Sequence, residues 1–163
     1  MLNIGDRIVY PNQGVGVIHV IEEKEFKGEM QQYYNIHLLN NSLKLMLPFN
    51  RLASSNIRLL SNSGDLDTIL HDTKDCVLNY EEVTITNCKD RIANNTLKVK
   101  SGTLKDSVEV YFNLSQVKRQ HPLNTSENQM LNTTKKVLVE EISLVKNITR
   151  VEATDLLENT LPI

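Results

Sequence analysis

Through the first third of the chain, apolar and polar residues alternate with a period of two; beyond it the apolar positions recur at helical spacing. Strand-like runs stand at Arg7-Ile8-Val9-Tyr10, Gly16-Val17-Ile18-His19-Val20-Ile21, Gln32-Tyr33-Tyr34-Asn35-Ile36-His37-Leu38-Leu39, Leu43-Lys44-Leu45-Met46-Leu47 and Ile57-Arg58-Leu59. Turn chemistry separates them at Pro11-Asn12-Gln13-Gly14, Lys27-Gly28-Glu29 and Asn40-Asn41-Ser42. So many short antiparallel strands in about 60 residues suit a small, strongly bent barrel of the SH3 or Tudor kind, because a flat sheet of that size cannot cover its own core.

After Asn62 the pattern changes. Ile85, Cys88, Ile92, Thr96 and Val99 form one helical stripe that ends at Ser101-Gly102. Thr103, with Asp106 three residues on, is placed to cap a second helix that turns Leu104, Val108, Tyr111 and Phe112 inward. His121-Pro122 breaks the chain, and Asn124-x-x-Glu127 starts a third helix as a capping box, with Leu131, Val137, Leu138, Ile142 and Val145 as its apolar face. Shorter helices are expected at about 65–71 before these and 152–160 after them. The expected fold class is α+β: a five-stranded Tudor/SH3-like β-barrel domain over residues 1–60, then an all-α helical bundle domain over 65–163.

The 163 residues carry a formal net charge of −2, which excludes attachment to nucleic acid by bulk charge alone. Counted in blocks, residues 1–60 carry +1, 61–86 carry −5, 87–136 carry +5 and 137–163 carry −3, so near-neutrality is a cancellation and one segment is basic. No apolar run is long enough to span a membrane, and the N-terminus lacks a secretory pattern, so a cytoplasmic chain is expected. In that compartment Cys76 and Cys88 read as free thiols, and their spacing matches no zinc motif. With 18 Asn residues, the N-x-S/T triplets arise by chance. His19, His37, His71 and His121 are scattered, and Gly14-Val15-Gly16 joins two strands instead of opening a helix. No catalytic activity, metal, cofactor or small-molecule substrate is expected.

Ile4-Gly5-Asp6-Arg7-Ile8-Val9-Tyr10-Pro11-Asn12-Gln13-Gly14-Val15-Gly16, followed by Ile21-Glu22, Lys27-Gly28, Tyr33-Tyr34 and Leu43-Lys44-Leu45-Met46-Leu47-Pro48, closely resembles the CarD/CdnL family of bacterial transcription regulators. The resemblance continues more thinly through Asn87, Arg91, Lys98, Ser101-Gly102, Val108, Asn124-x-x-Glu127 and Val137-Leu138-Val139-Glu140-Glu141. It implies that the N-terminal domain docks on the β subunit of RNA polymerase, through residues matching Lys24, Lys44, Met46 and Pro48. It also implies that the helical domain sits on promoter DNA at the upstream fork of the bubble, through residues matching Asn87, Cys88, Lys89, Arg91 and Lys98, and steadies the open complex without reading sequence. Docking by a small barrel fits strand addition to an exposed edge. Such relatives typically wedge a Trp into the minor groove; counting back from Ser101-Gly102 puts Cys88 there, and the chain has no Trp. The basic pair beside it reads Asp90-Arg91. Weak, sequence-independent DNA contact is therefore expected. The alternative is a divergent polymerase-binding paralogue whose helical domain contacts another protein. A Tudor-like peptide reader is a further alternative, which would need Tyr33 or Tyr34, Phe26 and Phe49 to converge into a cage.

Overall fold

The structure, a computed structural model, describes residues 1–78 and 87–160, without the side chains of 76–78. Ile85 and the Cys76 thiol therefore lie outside the described residues. Five antiparallel strands come first: β1 (Arg7–Tyr10), β2 (Gly14–Phe26), β3 (Glu29–Leu38), β4 (Lys44–Pro48) and β5 (Arg58–Leu59). They are ordered β4-β3-β2-β1-β5, so β4 and β5 are edges and the barrel stays open between them. Leu2, Ile8, Ile18, Tyr34, Ile36 and Leu38 fill the inside of the bend. A 3₁₀ turn (Phe49–Arg51) and a one-turn helix α1 (Leu52–Ser55) bring Phe49 onto Tyr34, ring centroids 4.0 Å apart and nearly parallel. Tyr34 and Phe49 thus belong to the core, while Phe26 is exposed at the far end of the β2–β3 hairpin, so these rings form no cage.

β2 and β3 run further than their hydrophobic pattern predicts. Pairing continues to Phe26 opposite Glu29, through residues that are mostly exposed, because two strands that pair with each other need no apolar face to satisfy their backbone. Lys27 and Gly28 turn the hairpin, both at positive φ.

Five helices follow: α2 (Ser63–Leu78), α3 (Cys88–Ser101), α4 (Leu104–Gln120), α5 (Thr125–Lys146) and α6 (Arg150–Asn159). The starts predicted at Thr103 and Asn124 are realised. Thr103 accepts from the Asp106 N–H, and Asn124 and Glu127 form a complete capping box. A second capping box, Thr149 with Glu152, opens α6. Leu66 and Leu70 of α2, Leu104, Val108, Phe112 and Leu114 of α4, Leu138 and Ile142 of α5, and Ala153 and Leu157 of α6 share one buried core.

α5 joins the two units. Glu141 is fully buried, and the Arg58 guanidinium beside β5 donates to both of its carboxylate oxygens at 2.7 Å. Ser61 Oγ donates to the same carboxylate at 2.7 Å. Arg58 also donates through Nε to the Gly102 carbonyl, and Asn56 donates to the Lys100 carbonyl, so the end of α3 is pinned to the same strand region. Gly102 is required there: its φ is +74°, and a Cβ would sit 2.4 Å from the Asn56 carbonyl oxygen. On the neighbouring turn, Glu140 is buried against Gly14, and a Cβ on that glycine would meet the Glu140 carboxylate at 2.8 Å.

The two adjacent carboxylates are partnered differently. Glu141 has a bidentate cation and a hydroxyl. Glu140 has no fully formed hydrogen bond; burial holds its pKa above the usual 4.5, opposed by the Val15 N–H, Arg150, Lys136 and the Asn40 amide. A raised folded-state pKa means that the folded protein holds this proton more tightly, so its favourable contribution is present below pH 4.5 and is lost as pH rises through the folded value. Equilibrium denaturation should separate the pair. Glu141→Gln is expected to cost about 3–5 kcal/mol, because it leaves Arg58 without its counter-charge. Glu140→Gln should instead stabilise the protein at pH 7 and converge with the parent as pH falls toward 4.5. Equal losses from both variants at pH 7 would contradict this assignment.

Candidate functional site

Two surfaces hold the candidate residues. The first is the outward face of β2, β3 and β4. Tyr34, Ile36 and Leu38 point into the core, so Tyr33, Asn35 and His37 point away from it, and their register partners Pro48, Met46 and Lys44 follow them. Lys24 on β2 reaches over the same face to within 3.6 Å of Met46 Sδ. All four docking candidates, Lys24, Lys44, Met46 and Pro48, are thereby brought together beside the open edge of β4.

Polar contacts order this face. Glu22 accepts from Asn35 Nδ2 at 2.7 Å and pairs with Lys24 Nζ at 2.9 Å. The Asn35 hydrogen bond, followed by Lys24, holds the Glu22 carboxyl below its usual pKa. Between Ile18 and Val20 the β2–β3 register shifts. There His19 stacks on His37 with ring centroids 4.3 Å apart. Desolvation lowers the His37 pKa, with His19 and Lys44 adding to the effect, so His37 is biased toward its neutral form. The sequence places both histidines in strands but not against each other, because cross-strand register is not read from either strand alone.

The second surface surrounds the start of α3. Asn87 caps the helix, its side chain accepting from the Lys89 N–H at 3.1 Å. Cys88 is half-buried rather than displayed, and Asn124 Nδ2 donates to its sulfur at 2.8 Å. The carboxylate of Glu127, the last member of the α5 capping box, is nearly inaccessible. Its Oε2 accepts from the Asn124 N–H at 3.1 Å and its Oε1 from Arg91 Nε at 2.6 Å. Burial pushes the Glu127 carboxyl up, but Arg91 and the Asn124 amide more than offset it and hold the pKa below the usual 4.5.

This geometry gives two of the expected cations partners within the chain. The Arg91 side chain is 13% exposed and serves a buried carboxylate that needs a counter-charge. Lys98 pairs with Glu109 at 2.8 Å on the neighbouring α4, and Lys105 approaches the same carboxylate at 3.9 Å. Lys89 and Lys100 are exposed and form no ion pair among the described residues. The basic segment thus offers fewer available cations than its +5 suggests.

Among the described residues, no group of three or more His, Cys, Asp or Glu is placed to hold a metal, and no helix is long and apolar enough to cross a membrane.

Residues 2–61 match the family model of the CarD-like/TRCF RID domain, and residues 76–158 match that of the CarD C-terminal domain. YdeB of Bacillus subtilis (strain 168), which carries a transcription-factor name, is 38% identical over 149 residues, covering 91% of this chain and 95% of YdeB. The solution NMR structure of the 72-residue N-terminal domain of Myxococcus xanthus CarD is 30% identical, covers 36% of this chain and 79% of that domain, and superposes with a TM-score of 0.32.

The ion-pair geometry separates stability from surface charge. Arg91→Ala should cost about 3–5 kcal/mol, since it strands the Glu127 carboxylate. Lys89→Ala should stay within about 0.5 kcal/mol of the parent. Urea denaturation checks both, and an Arg91→Ala protein as stable as the parent would show that the pair does not hold α3 to α5.

Proposed function

Because the chain belongs to the CarD family of transcription factors, we propose that it binds the β subunit of bacterial RNA polymerase through residues 1–60 and modulates promoter open-complex stability through a helical domain over 65–163. The observation that carries the docking half is the convergence of Lys24, Lys44, Met46 and Pro48 on one outward face beside the β4 edge. A free edge supplies unpaired backbone donors and acceptors to a partner strand, while neighbouring side chains set which partner fits. Met46 adds exposed apolar area there, and Lys24 and Lys44 add positive charge.

Promoter DNA near the upstream fork is the proposed second partner, approached from α3. Asn87, Cys88 and Lys89 cluster at the start of that helix, Arg91 orients it by holding α5, and Lys98 holds α4 through Glu109. With two lysines of α3 unpaired among the described residues and few further phosphate contacts, DNA affinity should be weak. It should also be steeply salt-dependent, with a slope of log K against log salt of about −2 to −3. Tethering to polymerase offsets that weakness, because a linked site works at an effective concentration on the order of millimolar. The second reading, a helical domain that contacts another protein instead of DNA, is favoured by one observation: Arg91 and Lys98 are consumed in ion pairs.

Retention of the β subunit by the full-length chain tests the docking half. The double variant Lys24→Glu/Met46→Asp should weaken retention by about tenfold or more, equivalent to ~1.4 kcal/mol. Failure of the natural protein to retain the β subunit, or undiminished retention by the variant, would remove the proposed dock.

A further inference from the structure

A cleft of about 220 Å³ opens between α5 and α6, lined by Asn132, Lys136, Val139 and Glu140 of α5 and by Arg150 and Thr154 of α6. At about 100° per residue, Asn132, Lys136 and Val139 stand roughly 120–180° around α5 from Glu127, the residue that holds α3. The cleft therefore faces away from α3 and lies apart from both surfaces described above. Donors dominate it. Lys136 and Arg150 are exposed, form no ion pair among the described residues, and have side chains that can only donate. No acidic residue of α6 lines the cleft: Glu152 closes the Thr149 capping box, and Glu158 pairs with Lys135 at 2.5 Å. The one carboxylate at the cleft is that of Glu140, buried against Gly14 with no fully formed hydrogen bond.

Drug-sized ligands need roughly 300–1,000 Å³, so a cleft of this size takes a compact group. A guanidinium grips a phosphate through two parallel hydrogen bonds, and a lysine adds a point charge. We propose that the cleft binds a small phosphate-bearing anion, clasped by Arg150 and Lys136. The site depends neither on polymerase docking nor on DNA contact. Glu140 makes it sensitive to protons. The groups that face this carboxylate are Lys136 on its own helix, Arg150 on α6, and the Val15 N–H and Asn40 amide from the sheet. An anion held by Arg150 and Lys136 offsets the two cations that favour charged Glu140, so binding favours the protonated carboxyl and tightens as pH falls through its titration.

NMR titration of the full-length chain with inorganic pyrophosphate, at constant ionic strength, reads the site directly. Saturable shifts are expected at Asn132, Lys136, Arg150 and Thr154. Arg150→Ala and Lys136→Ala, both at exposed positions, should each weaken binding about tenfold. Sulfate keeps its charge between about pH 7 and about pH 5, and over that range its binding to the natural protein should tighten severalfold. Glu140→Gln should bind sulfate more tightly than the parent at pH 7 and lose the pH dependence. Shifts that do not saturate, or unchanged affinity in both cation variants, overturn the proposal. Short duplex DNA that shifts the same residues at lower concentration than pyrophosphate assigns the cleft to a nucleic-acid backbone and also overturns it. Equal pH dependence in the parent and Glu140→Gln overturns the role given to Glu140.

Discussion

The bidentate pair between Arg58 and Glu141 holds the arrangement together. It sits where β5, the end of α3 and the middle of α5 meet, and its members are 83 residues apart in sequence. Arg58 reaches three elements at once: it belongs to β5, donates to the Gly102 carbonyl behind α3, and neutralises a carboxylate buried in α5. An ion pair in such a place is a poor source of net stability, because desolvation consumes much of the Coulomb gain. Its value lies in specificity. The planar guanidinium accepts one orientation of the carboxylate, and so the helical unit has one orientation relative to the sheet.

That constraint gives the two surfaces their relation. In the proposed function, one unit stands on polymerase and the other meets DNA, so a fixed angle between β4 and α3 converts docking into a defined placement of the start of α3. Ion pairs elsewhere serve the same framework. Arg91 with Glu127 fixes α3 to α5, and Lys98 with Glu109 fixes α3 to α4. A chain that spends its cations on internal order presents a cleaner helix face but a weaker one, and it depends more heavily on tethering for contact with DNA.

Local chemistry was legible in the sequence wherever partners lie within one turn of each other. The Thr103 cap, the Asn124–Glu127 box and the glycine that stops α3 could be read because each is a rule about three or four consecutive residues. Strand alternation marked the runs that form β1 to β5 equally well. The turn at Lys27-Gly28 was legible, but the length of the hairpin arms beyond Ile21 was not, because those residues are solvated and carry no apolar period. The partner of Arg91 was not legible for a different reason. Resemblance supplied a role for a cation at that position, while the structure shows that Glu127, 36 residues away, claims it.

The lifetime of promoter open complexes, measured with the natural protein and with Arg58→Ala, tests most directly whether a fixed seam links docking to promoter opening. The account predicts that the natural protein changes the lifetime and that Arg58→Ala, although still retained by polymerase, does not. No effect of the natural protein, or an equal effect of the variant, would contradict it.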